Sequence, residues 1–175
     1  MRFAQPTLAF AFAALLGAAS FSATAAAPAT GDAAKATTAT AVTVASTANL
    51  REFNTLLNKS GVTARLKRPA EAYTVFAPTN DAVAKVPADI RERMFRSDAP
   101  GLKHLVRSHL VAGVVNFDQL RDGAELKTLD GETIRVAKRA DGSILLNGVY
   151  LVRDAGRATT NGMVYAIDSM IAPAN

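Results

Sequence analysis

The run YTVFAPTNDAV at residues 73–83 constrains the fold most, because it sets an apolar strand, a stop and a helix start side by side. Val75 and Phe76 have the β-branched and aromatic character of a buried strand, and Pro78 lacks the N–H that would extend the ladder. Thr79, Asn80 and Asp81 then offer side-chain oxygens to the open amides of a helix. The segment reads as strand, sharp turn and helix.

Flanking patterns place helices ahead of hairpins. A first helix is expected from Asn49, with Glu52 in capping-box spacing and Leu50, Phe53, Leu56 and Leu57 as its apolar stripe, ending near Gly61. Residues 62–70 connect it to the strand. Helical segments follow at 82–85 and 88–95, the second with Ile90, Met94 and Phe95 inward, and residues 97–101 form a turn. The spacing predicts another helix over 102–111 that buries Leu102, Leu105, Val106, His109 and Leu110 and turns Lys103, His104, Arg107 and Ser108 outward. Beyond Gly113 the period becomes two. Asp130-Gly131, Asp141-Gly142 and Asn147-Gly148 punctuate strands at 126–129, 133–136, 144–146 and 149–152, and Asn161-Gly162 precedes a last strand at 163–167. Helices first and hairpins second make an α+β chain.

The ends bound the compartment. Arg2, an apolar stretch over 8–19 and small-x-small patterns ending at Ala27 describe a secretory signal peptide over 1–27. Residues 28–45, rich in Ala and Thr without an apolar face, read as a flexible tether, leaving 46–175 as one folded domain. With no cysteine, neither a disulfide framework nor a lipid-attachment thiol exists, so a packed core must carry stability. The net charge of +5 is mild and favours acidic lipid or polysaccharide surfaces, with nucleic acid not expected as a partner. The densest basic spot, Arg65-Leu66-Lys67-Arg68, reads as a solvated loop.

Marks of catalysis are missing from the chain. There is no Gly-x-Ser-x-Gly elbow and no phosphate-cradling glycine loop. His104 and His109 are five residues apart, on different helical faces, so they are not expected to share a metal. Asp130 with Glu132, and Asp118 with Asp122, sit in turn or helix-start settings that local backbone hydrogen bonding explains. Asn58-Lys59-Ser60 fits a glycosylation acceptor by chance spacing. Neither a cofactor nor a metal is expected.

The run at 73–83 resembles the first signature of the fasciclin-type (FAS1) domain, and NGMVYAIDSMIAP at 161–173 resembles its second. This resemblance covers essentially 46–173 and implies a wedge of two antiparallel β-sheets with helices packed along one side. It marks Phe76, Pro78, Thr79, Asn80, His109, Asn161, Gly162 and Asp168 as signature positions of mainly structural use. In the family a histidine at the place of His109 follows a tyrosine, a pair implicated in the core and, in some animal members, in integrin recognition. Ser108 stands there instead, so the core role alone carries over, with the His109 ring expected to bond the turn near Thr79 or Asn80. Tyr165 replaces a family histidine, and Asp168 is expected to bond the local backbone or to pair with an arginine. The implied function is a secreted or periplasmic, non-enzymatic adhesion module for envelope or extracellular protein or polysaccharide. The alternative is a periplasmic carrier of small molecules or polysaccharide with a groove between helices and sheet.

Overall fold

Among the described residues, eight strands make two four-stranded sheets. β1 (Tyr73–Pro78), buried along its whole length, lies between β2 (Leu110–Ala112) and β8 (Gly162–Ile167), with β7 (Arg157–Thr159) outside β8. The second sheet runs β3 (Glu125–Lys127), β4 (Thr133–Lys138), β5 (Ile144–Leu146) and β6 (Val149–Tyr150) in sequence order. These elements belong to a computed structural model that describes residues 44, 46–68, 70–96, 100–152 and 156–171. The signal peptide and nearly all of the tether, the turn at 97–99 and Pro173 lie outside the described residues.

Strand alternation makes the first sheet the middle layer. Tyr73, Val75, Ala77, Leu110 and Val164 share a core with the helix residues Phe53, Leu56, Leu57, Leu66, Leu102 and Val106. Phe76, Val111, Tyr165 and Ile167 share the other core with Ile134, Val136, Ile144 and Leu146 of the second sheet. Opposite faces of one pleated strand therefore fill two cores. Bridges Val111↔Thr128 and Leu151↔Ile167 stitch the sheets together. The α+β architecture with helices on one side is as expected. One pairing differs, because β1 and β8 run parallel, from Tyr73↔Gly162 to Pro78↔Ile167. No hairpin joins these two strands; the entire second sheet lies between them in sequence, so turn grammar cannot report their direction.

The hairpins fall where turn residues put them. Asn147 (φ +50°) and Gly148 (φ +86°) form the positive-φ pair a two-residue turn demands, and Asn147 Oδ1 also accepts from Arg135 N at 2.8 Å. β7 was not anticipated, since its three residues carry no alternation of their own.

The helical layer departs from the reading in several respects. A 3-10 turn, Ala48–Leu50, precedes α1 (Arg51–Lys59), and the expected Asn49–Glu52 capping box is absent. Asn80 takes over from a distance, its Oδ1 accepting from Glu52 N at 3.1 Å while its Nδ2 donates to Ala48 O at 3.0 Å. Asn80→Ala is therefore expected to cost about 1 kcal/mol in urea unfolding, with Asn80→Asp, which keeps the acceptor, losing less. A short α2 (Thr63–Leu66) occupies the expected connection, and Leu66 buries fully. α3 (Asn80–Ala84) begins two residues ahead of the segment read at 82–85, and α4 (Ala88–Phe95) forms as read, but Ile90 is exposed because α4 touches the core only through Met94 and Phe95. α5 (Pro100–Ser108) stops before the predicted end, since Leu110 and Val111 satisfy β1's edge as β2. Ser108, expected outside, is buried with its Oγ donating to Leu105 O at 2.7 Å. Among the described residues no helix is long and apolar enough to cross a membrane.

Candidate functional site

The signature residues hold the middle sheet. Thr79 caps α3, accepting from Ala82 N at 3.1 Å, and its own N–H donates to Ile167 O at 3.0 Å, carrying the parallel ladder one step past Pro78. Phe76 stacks on Tyr165 with centroids 5.7 Å apart. Tyr165 is buried and its hydroxyl donates to Val115 O at 2.9 Å, so it keeps the packing and one polar bond where the family carries imidazole. Burial pushes its phenol up to about 12, with the Asp118 charge adding. Asn161 Nδ2 donates to Leu66 O at 2.8 Å and its carbonyl accepts from Tyr73 N at 2.9 Å, which ties the start of β8 to α2 and β1. Asp168 Oδ1 accepts from Tyr150 N at 3.1 Å, a backbone partner on β6 in place of the local one expected, and the nearby cation is Lys85 at 3.9 Å and not an arginine.

His109 is buried, as its stripe position implies, but it bonds elsewhere than expected. Its ring lies 5.6 Å from that of Phe53, Nδ1 is 2.8 Å from Leu105 O, and Nε2 accepts from Ile171 N at 3.0 Å. Only the backbone reaches the first signature, through Phe76 N to His109 O at 2.9 Å. The cause is the early end of α5: with His109 at the helix–strand junction, the ring turns back to a carbonyl of the last helical turn and across to the second signature. Nδ1 donates and Nε2 accepts, so this is a neutral ring; desolvation brings its pKa down to about 4, partly opposed by the Leu105 carbonyl. A buried, fully bonded imidazole is a structural part of the core.

A concave basic surface lies elsewhere. A groove of about 300 Å³ opens between the α1–α2 turn and α5, lined by Gly61, Val62, Arg65, Lys103, Arg107 and Leu129. Arg65 is held in place, Nε lying 2.7 Å from the Tyr73 hydroxyl and 3.2 Å from Glu71 Oε2, and the guanidinium holds the Glu71 carboxyl below its ordinary range. Lys103 and Arg107, one turn apart on α5, have no carboxylate partner among the described residues. The helical spacing places both outward, whereas the run Arg65-Leu66-Lys67-Arg68 reads as a solvated loop. Only the fold brings Arg65 opposite α5, and no local signal announces that.

Residues 48–173 match the sequence model of the fasciclin domain. The chain belongs to the fasciclin family. An arabinogalactan-type fasciclin-like protein of Cercospora beticola, CTB11, is 34% identical over 71% of this chain and 32% of its own length. The cell surface glycolipoprotein MPB83 of Mycobacterium bovis is 36% identical over 58% of this chain and 44% of its own, and human periostin 33% over 58% and 12%. This chain therefore spans less than half of each of these relatives. A FAS1 domain pair from the insect cell adhesion molecule Fasciclin I superposes with TM-score 0.66 at 21% identity, covering 79% of this chain and 52% of that one, and shares the fold. Within this FAS1 fold both signatures converge on β1 and β8, and the basic groove lies outside both.

Proposed function

We propose that this fasciclin domain is an exported, non-enzymatic adhesion module that holds acidic envelope or extracellular polysaccharide in the groove beside α5. The observation that carries this is the pair Lys103 and Arg107, unpartnered by carboxylates and set across a concavity from an immobilised Arg65. Two cations one helical turn apart suit anionic groups repeated along a chain, and a preoriented guanidinium loses little freedom on binding. A cell-surface relative and a cell adhesion molecule of the same fold support the setting. The groove is at the small end of the range for ligand pockets and carries three cations beside its apolar residues Val62 and Leu129, which favours a polymer crossing the surface over a carried apolar metabolite.

The test is co-sedimentation of the chain with polygalacturonate and with neutral dextran, at low salt and at ~0.15 M, where exposed charges act over about 8 Å. Binding to the acidic polymer is expected to survive the higher salt, and the double substitution Lys103→Gln with Arg107→Gln to weaken it about tenfold through loss of charge-assisted bonds. Binding unchanged in the double variant would move the site off this groove, and equal retention on dextran would remove the role of charge.

A further inference from the structure

His104 leaves the exposed side of α5 toward the β3–β4 turn, where Asp130 and Glu132 flank Gly131. One imidazole nitrogen and one oxygen from each carboxylate lie within 4.8 Å of one another. His104 Nδ1 contacts Asp130 Oδ2, and Nε2 is 3.8 Å from Glu132 Oε1. The Asp130 side chain is only 10% exposed. Among the described residues its Oδ2 is the buried side-chain oxygen that accepts no hydrogen bond, despite that contact.

Such an oxygen is costly to bury unsatisfied. Two carboxylates outnumber the single positive charge an imidazole can carry, so the cluster keeps surplus negative charge and acceptor oxygens whichever form the His104 ring takes. A cation placed where the three donors converge satisfies them together.

We propose that His104, Asp130 and Glu132 bind a divalent first-row transition ion of the zinc type. One imidazole and two carboxylates are a borderline donor set: the nitrogen disfavours calcium and magnesium, and the lack of thiolate disfavours cuprous ion. Three protein ligands leave a fourth position for water, and His104, nearly half exposed, puts that position at the surface. Zinc bonds of about 2.0 to 2.2 Å require His104 Nδ1 to back away from Asp130 Oδ2 to admit the ion while the wider donor pairs draw in, a rearrangement that rotation of the His104 side chain supplies. The ion would clasp α5 to the β3–β4 turn, linking helical layer to second sheet, next to Lys103 and Leu129 of the groove.

The test is calorimetric titration of the chelator-stripped, tag-free chain with zinc chloride, and with magnesium chloride in parallel, accompanied by thermal unfolding. One zinc per chain, a rise in Tm reversed by EDTA and no comparable magnesium binding are expected. His104→Gln should weaken zinc binding about tenfold or more and remove the EDTA-reversible rise in Tm. Asp130→Asn should do the same, and if that turn variant fails to fold, His104→Gln decides alone. Absence of saturable zinc binding at millimolar metal, equal affinity in His104→Gln, or magnesium bound as tightly as zinc would each overturn the site.

Discussion

Gly162→Ala is expected to unfold this domain or to remove about 4 kcal/mol or more of its stability, the range reserved for changes that break a structure's frame. A Cβ at Gly162 would stand 1.6 Å from the Tyr73 carbonyl oxygen, and the residue has φ +150°, a conformation that side chains rarely adopt. Neither backbone is at liberty to move. Tyr73 and Gly162 are the first pair of the β1–β8 ladder, Tyr73 N–H is bonded to Asn161 O, and the Asn161 side chain is anchored on Leu66 O. Overpacking elsewhere in a core costs about 1 to 3 kcal/mol because side chains yield; here the obstacle is main chain. Gly101→Ala is the matched control, since a Cβ there meets nothing within 4 Å and lies in α5. Guanidinium unfolding of the two variants side by side decides the matter, and similar midpoints would sink the close-approach account.

Acid should weaken the domain through His109. Folded, the ring is neutral with a pKa of about 4, and unfolded it returns to about 6.5. In that window the unfolded chain binds the extra proton, so stability is full above pH 6.5, falls as the pH drops and levels off below about 4. The whole fall attributable to this ring is about 3 kcal/mol. His109→Gln is expected to lose about 1 to 3 kcal/mol at neutral pH through weaker bonds to Leu105 O and Ile171 N, and to lose the extra acid sensitivity as well. Urea midpoints measured from pH 7 to pH 4 separate the two effects, because the other titrating groups are common to both proteins. Parallel acid profiles would show that His109 titrates alike in the folded and unfolded chain.

Much of this architecture is local in sequence, and those parts were legible. Asp130-Gly131, Asp141-Gly142 and Asn147-Gly148 each set a hairpin within a few residues, and Thr79 caps the helix that begins beside it. What stayed hidden depends on residues meeting across the fold. Leu110 and Val111 suit a buried strand as well as a helix stripe, so periodicity alone extended α5 past Ser108 and misdirected the His109 ring. Asn80 was readable as a cap, but not as the cap of a helix 28 residues earlier. The histidine that meets Asp130 and Glu132 is His104, which sequence spacing had weighed only against His109. The groove has the same character, as Arg65 and Arg107 become neighbours only when α2 and α5 pack on one sheet.

The parallel union of β1 with β8 also sets an order of events. β1 forms early in the chain and finds β2 nearby, but its second edge waits for a strand that arrives only after the whole β3–β6 sheet has been made. Until then an apolar strand, buried at all six positions in the finished domain, has one open side. A ribosome releases a chain from its N-terminus, so the half-made molecule carries a sticky edge for as long as the last strand is delayed. A chain interrupted before Gly162 would keep that edge for good, which makes incomplete synthesis a route to aggregation and the final strand the latch that ends the hazard.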